Sequence, residues 1–216
     1  MRASMQFWSP RYTNRGALRV FACAAILVLA LIALNSHDAS AGSRPRLSYV
    51  QGRHTVELSP KMNAAIRRFD ATFVPWLDED YLPSIRKYYR YTERQSPFAV
   101  LGDVSGDGRI DAILDGRTSS RSVLLAVLSR GGGYRVLVIE SGELIDPRTQ
   151  GYVASTGLEY GKDSCLNYFA PRRIKTSYER LPLYLRHDAF ELGYCERAST
   201  VYYYRNGRFH TYTTSD

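Results

Sequence analysis

The chain has 216 residues, 44% of them hydrophobic, which is enough to bury the core of one domain and too apolar for a disordered tail. Its formal charge is +8, from 29 Lys and Arg against 21 Asp and Glu, so nucleic acid and anionic surfaces come into question as partners. The placement of that charge argues against nucleic acid, beginning at the N-terminus.

Arg2, Arg11, Arg15 and Arg19 precede an apolar run of 15 residues, Val20–Leu34. A bilayer core takes about 20 apolar residues, so the run is short for a span. Ala39-Ser40-Ala41 follows, with the small-x-small form that a signal peptidase accepts. Residues 1–41 therefore read as a signal peptide cleaved before Gly42, leaving an exported protein, periplasmic or extracellular, with no stable membrane span. Retention as an uncleaved anchor is the alternative. Cys23 lies at the start of the run rather than after it, which argues against a lipoprotein. Beyond residue 41 there remain 25 basic and 20 acidic residues, with Arg scattered from Arg44 to Arg208 as on a solvated surface. No basic stripe interleaves with aromatics, and no nucleic-acid partner is expected.

Residues 42–58 are polar and broken by Pro45 and Gly52, which predicts a leader or linker before a single domain at 59–216. Ser59 can cap a helix that Pro60 starts, and Met62, Ala65, Ile66 and Phe69 keep helical spacing through about Phe73, before Pro75. Trp76, Leu77, Tyr81 and Leu82 supply anchors, and Ser84–Tyr89 predicts a second short helix. From Pro97 the pattern becomes β. Phe98–Leu101 and Ile110–Leu114 flank an acidic loop; Val123–Leu128 and Tyr134–Ile139 flank the turn Gly131-Gly132-Gly133. Residues 141–187, with Pro147, Pro171 and Pro182, predict mostly irregular connections. Ala189–Tyr194 and Thr200–Tyr204 read as strands, and Asn206-Gly207 joins Val201–Tyr204 to Phe209–Tyr212 as a hairpin. The fold class is α+β: mainly antiparallel β-sheet, with short N-terminal helices and the acidic loop as a β-hairpin. No long repeat is present, so a propeller or solenoid is not encoded.

In an exported chain, Cys165 and Cys195 form an even pair, and a bridge between them would add roughly 3 to 4 kcal/mol in the chain-entropy view. Two buried thiols, or a cysteine nucleophile, are the competing readings.

The acidic loop is GDVSGDGRID, residues 102–111. Asp103, Ser105 and Asp107 alternate so that their side chains can turn toward one point. Gly108 permits the sharp turn, Arg109 offers its backbone carbonyl, and Asp111 closes the shell directly or through water. Every donor is oxygen, and an irregular shell of carboxylate, hydroxyl and carbonyl suits Ca2+ better than the strict octahedron of Mg2+. The competing reading is a plain Asp-Gly turn. Against it, three converging carboxylates repel one another without a cation, and a turn needs only one.

An EF-hand shares these first positions but needs Glu where this chain has Leu114, and it lies between helices rather than strands. The loop instead resembles the FG-GAP or VCBS type of β-hairpin calcium loop, with the motif at 98–115. Pro-Phe-Ala-Val-Leu-Gly-Asp before it, Leu-Leu-Ala-Val-Leu-Ser and Gly-Gly-Gly-Tyr after it, and the tail Tyr-Tyr-Tyr-Arg-Asn-Gly-Arg-Phe resemble a small family of exported bacterial proteins bearing one such motif. The resemblance implies a calcium ion on Asp103, Ser105, Asp107, Arg109 (through its carbonyl) and Asp111, without assigned chemistry. Many such loops carry Asn or Asp where this chain has Ser105, and a hydroxyl is the weaker ligand.

Enzyme signatures are sparse: His54, His187 and His210 show no HExxH spacing, and there is no Gly-x-Ser-x-Gly elbow. His187-Asp188 reads as a surface pair rather than a dyad. The 17 tyrosines cluster at Tyr88, Tyr89 and Tyr91 and at Tyr202–Tyr204, through sheet packing or as a recognition surface for a protein or glycan. The expectation is an exported calcium-binding module, binding or structural, without catalytic activity of its own. The alternative is an exported cell-surface hydrolase, for which His187, Glu159, Asp163 or tyrosines should gather in a cleft.

Overall fold

Why a long apolar stretch such as Val123–Leu128 is tolerated becomes clear from what covers it. In the computed structural model, which describes residues 44–154, 157–194 and 198–215, strands β4 (Gln95–Ser96), β5 (Ala99–Gly102), β6 (Asp111–Arg117), β7 (Arg121–Arg130) and β8 (Gly133–Glu143) form an antiparallel meander. A short β3 (Val74–Pro75) pairs with the far end of β6. β6 and β7 are buried along nearly their whole length because both faces of this sheet are covered.

Helix α1 (Pro60–Phe69) lies on one face. Ser59 caps it by accepting a hydrogen bond from the Met62 N–H, and Pro60 occupies the first turn, where no N–H is needed. Met62 and Ile66 pack with Leu101, Leu114, Leu125 and Val127 of the sheet and with Trp76, Tyr81, Leu82 and Ile85. Full burial of side chains of this size contributes about 1.5 to 3 kcal/mol each. Ile85 belongs to the second helix, α2 (Pro83–Tyr88). α1 stops at Phe69, short of Phe73, because Asp70 takes an extended conformation while its N–H still bonds Ile66 O.

The other face of the meander meets a second antiparallel sheet, ordered β11 (Ser164–Phe169), β14 (Ala189–Tyr194), β15 (Ser199–Arg205), β16 (Arg208–Ser215). Val100, Ile113, Ala126 and Leu128 pack there against Leu166, Phe190 and Leu192. The outer face of the second sheet, with Ala189, Val201 and Tyr212, is covered by Ile174 and Leu185 from the connection that carries the small pair β12 (Arg173–Ile174) and β13 (Leu183–Tyr184). The β-rich, antiparallel fold with few helices is thus as the sequence predicts. No helix among the described residues is long and apolar enough to cross a membrane.

Two expectations are corrected. The polar leader at 42–58 contains a hairpin of β1 (Arg46–Val50) and β2 (Arg53–Glu57), turned at Gln51 and Gly52, both with positive φ. Leu47 and Val56 pack on the core, and His54 N and Nδ1 both lie within 2.9 Å of Asp78 Oδ2. Within 141–187, expected to be irregular, stand β11, the β12–β13 pair and the hairpin of β9 (Gly151–Ala154) with β10 (Gly157–Tyr160). Residues 1–43, with the expected signal peptide, lie outside the described residues.

Candidate functional site

The acidic loop joins β5 to β6 at one end of the sandwich. Gly106 and Gly108 take φ values of +79° and +80°, and the chain curls so that its own N–H groups face Asp103. Asp103 Oδ1 accepts from the N–H groups of Gly106 (2.8 Å) and Asp107 (3.0 Å), and Oδ2 accepts from Gly108 (2.9 Å). Asp107 Oδ1 accepts from Arg109 N–H at 3.0 Å, and its Oδ2 accepts from the Ser129 hydroxyl. Asp111 is fully buried at the start of β6. Its Oδ2 accepts from Ser105 N–H and its Oδ1 from Ser129 N–H, both at 2.6 Å.

Burial pushes the Asp111 carboxyl above its ordinary value, and the charge of Asp107 adds to the rise, while the two N–H groups oppose it. The Ser105 hydroxyl is shielded from solvent and close to Asp111, yet it meets no hydrogen-bond geometry with any described residue. The Arg109 guanidinium lies over the Tyr134 ring, 5.6 Å from its centre, away from the carboxylates. All five expected ligand residues therefore share one loop. Their carboxylates are engaged with backbone N–H groups, and among the described residues no three Asp, Glu, His or Cys side chains gather in a metal-ligand cluster.

Two residues outside the motif hold this loop in place, and sequence spacing did not show them. Ser129, at the end of β7, bonds two of the three aspartates. Asp188 accepts from Asp103 N–H at 2.8 Å and from the Tyr168 hydroxyl at 2.7 Å, with Arg94 Nη1 3.6 Å away. Its side chain is only 11% exposed, so the surface-pair reading of His187-Asp188 is corrected: His187 is exposed, and Asp188 is a strut under the loop. These contacts crowd the neighbouring glycines, and Gly106 also has a positive φ. A Cβ on Gly106 would stand 2.6 Å from the His187 ring, and one on Gly102 would stand 2.7 Å from Asp188 Oδ2.

An open groove of about 1250 Å³ runs from Ser105, His187 and Asp188 along the 178–186 connection to the β15–β16 turn. The tyrosines divide as strand alternation requires: Tyr202 and Tyr204 join the cluster between the sheets, and Tyr203 joins the outer one. Tyr178 and Tyr184 in the groove remain 52% and 64% exposed.

At the opposite end of β6 is a cleft of about 280 Å³. Asp115 is buried there, accepting from the Tyr81 hydroxyl at 3.0 Å and lying 3.3 Å from Lys162 Nζ. Burial pushes Asp115 up, and Lys162 and Tyr81 pull it back. Glu140, Asp163 and Tyr194 line the same cleft; burial raises the Tyr194 phenol, and the charges of Glu140 and Asp163 raise it further. Glu159 instead accepts from Ser84 N–H and hydroxyl at 3.0 and 2.6 Å, and His187 stands in the groove beside the acidic loop. The four groups that a hydrolase would gather are thus not gathered in one cleft. Cys165 sits on β11 opposite Gly193; Cys195, its expected disulfide partner, lies outside the described residues.

Compared with protein-family models, curated proteins and solved structures, the chain matches none.

Proposed function

We propose that the chain is an exported calcium-binding module, binding or structural in role, whose ion sits at the 103–111 loop. The observation that carries this reading is Asp111. A carboxylate buried completely beside a second carboxylate is costly when ionised, and a hard cation removes that cost. Every donor of the loop is oxygen, the chemistry that such an ion takes. An ionised carboxylate has about four acceptor sites, so the backbone bonds to Asp103, Asp107 and Asp111 leave lone pairs for coordination. The Ser105 hydroxyl is a shielded oxygen close to Asp111, and β-strands rather than EF-hand helices flank the loop. Asp103, Asp107, Asp111, Ser105 and the Arg109 carbonyl would hold the ion, which would neutralise the loop rather than react. The FG-GAP/VCBS resemblance supports the same assignment.

The test is calcium titration by calorimetry on protein stripped with EDTA. One ion per chain is expected, in the micromolar to millimolar range of such loops. Asp107→Ala should lower the melting temperature in calcium and change it little in EGTA. A sample dialysed against calcium that holds no stoichiometric ion removes the reading. The second reading, a cell-surface hydrolase, draws on the cleft where Asp115, Glu140 and Asp163 surround Tyr194. Release of reducing ends from envelope polysaccharide, abolished by Glu140→Gln, would favour it.

A further inference from the structure

We propose that the groove beside the acidic loop binds an acidic oligosaccharide of the uronate class, an inference that rests on reading the chain as a binding module and names its ligand. The charges lining the groove are not balanced. Arg180, Arg186 and Arg205 are exposed there, and among the described residues none has a carboxylate partner within ion-pair distance. The two carboxylates of the lining are held by bonds within the protein: Glu179 Oε1 accepts from Thr213 N–H at 3.3 Å, and Asp188 accepts from Asp103 N–H and the Tyr168 hydroxyl. Three free guanidinium forks in one groove call for a ligand with planar anions, which Arg recognises bidentately.

The aromatic rings narrow the class. Tyr178 and Tyr184 expose more than half of their surface along the 178–186 wall, on either side of Arg180 in sequence; the Arg173 guanidinium lies over one face of the Tyr184 ring, 5.5 Å from its centre, which leaves the other face for a ligand. A pyranose lays its C–H face on such a ring while its hydroxyls bond neighbouring polar groups, so alternating tyrosine and arginine match a chain of alternating sugar faces and carboxylates. The groove is also larger than the ~300 to 1,000 Å³ of small-molecule sites, which favours an oligomer over a single sugar.

A nucleic-acid strand would also stack on tyrosine. It carries one phosphate per ~3.4 Å, however, and would press that charge onto Glu179 and Asp188. Uronate chains space their charges one per sugar, and their hydroxyls can donate to the acceptor sites that the same two carboxylates keep. The groove touches the acidic loop through Ser105 and Asp188, so ligand and ion would lie side by side.

The experiment is titration of the purified protein with oligogalacturonate, neutral dextran and oligothymidine, in calcium and in EGTA, by calorimetry. Saturable binding of the uronate alone is expected, weakened about tenfold by Arg186→Ala or Arg205→Ala, the scale of one lost charge-assisted contact. Arg186→Lys, which keeps the charge and loses the fork, should recover only part of the affinity. Both arginines are exposed, so unchanged melting temperatures will separate lost binding from lost fold. Absence of uronate binding, equal binding of oligothymidine or dextran, or wild-type affinity in both alanine variants would overturn the proposal. Calcium uptake is measured on the same samples: a protein that takes up the ion but no uronate overturns the groove alone, and one that binds uronate without taking up the ion supports the groove and overturns the calcium site.

Discussion

Asp188 and Asp103 are joined by a reciprocal pair of hydrogen bonds: Asp103 N–H donates to the Asp188 carboxylate at 2.8 Å, and Asp188 N–H donates back to Asp103 O at 3.2 Å. The second sheet thereby grips the first residue of the acidic loop. Asp188→Ala would leave Asp103 N–H and the Tyr168 hydroxyl without their acceptor, at a cost of about 1 to 3 kcal/mol in stability. Asp188→Asn keeps one acceptor oxygen and should lose less. Urea unfolding of the two variants checks this, and an alanine variant as stable as wild type would remove the strut.

A side chain at Gly106 should displace the His187 ring from the loop. Gly106→Ala combines a positive φ with a 2.6 Å approach to the imidazole, so two penalties add. In a His187→Ala background only the backbone penalty remains, roughly 1 kcal/mol. A double-mutant cycle measured by thermal unfolding should show strong coupling between the positions; strict additivity would mean that the ring does not rest on the loop.

The calcium increment in stability should depend on pH in a defined direction. Burial holds Asp111 above the usual 3.8. A raised carboxyl is unfavourable to the fold when ionised, and that penalty is relieved as pH falls through the folded value. Calcium needs the ionised form. The melting-temperature difference between calcium-loaded protein and protein stripped of calcium and exchanged into calcium-free buffer should therefore be full at neutral pH and fade as pH falls through the raised Asp111 value, before solvent-exposed carboxylates titrate. An increment that stays constant down to about pH 4 would show that no raised carboxyl takes part.

At alkaline pH the fold should weaken through its buried phenols. Tyr81 is fully buried and donates to Asp115; Tyr89 donates to Leu166 O. Burial raises both above the usual 10.0, with Asp115 adding to the rise at Tyr81 and Cys165 at Tyr89. Folded molecules keep these protons while unfolded chains lose them above pH 10, so stability is complete below that pH and declines above it. Each such phenol contributes a slope of up to about 1.4 kcal/mol per pH unit. Unfolding followed at rising pH should show this decline, and Tyr89→Phe should make it shallower.

The parts of the fold legible in the sequence are those encoded by chain neighbours. Ser59-Pro60 marks the start of α1, and Gly131-Gly132 and Asn206-Gly207 turn their hairpins with positive φ at both residues. Gln51-Gly52 makes the same kind of turn, but Gln at its first position is not a usual turn residue, and the short polar segments beside it, with Pro45 before them, mask the alternation of Leu47 and Tyr49 with Arg46 and Ser48. β11 was hidden for another reason. Its partner β14 lies beyond the connection at 170–188, and no turn signal links strands so far apart. The site divides in the same way. The spacing of Asp103, Asp107 and Asp111 is local and visible; Ser129 and Asp188 reach the loop from 18 and 85 residues away, through strand register and tertiary packing.

The order in which the strands neighbour one another also sets a sequence of assembly. β5 to β8 close by successive hairpins, β6 to β7 and β7 to β8 by tight turns and β5 to β6 through the acidic loop, so their contacts are local in sequence and favour fast pairing. β11 must wait for β14 to return across the intervening connection, a slower step with a larger closure entropy. Val100, Ile113, Ala126 and Leu128 take their cover from Leu166, Phe190 and Leu192 of that later-closing sheet. Burial of that face, and with it the closure of the sandwich, thus rests on the long-range pairing of β11 with β14.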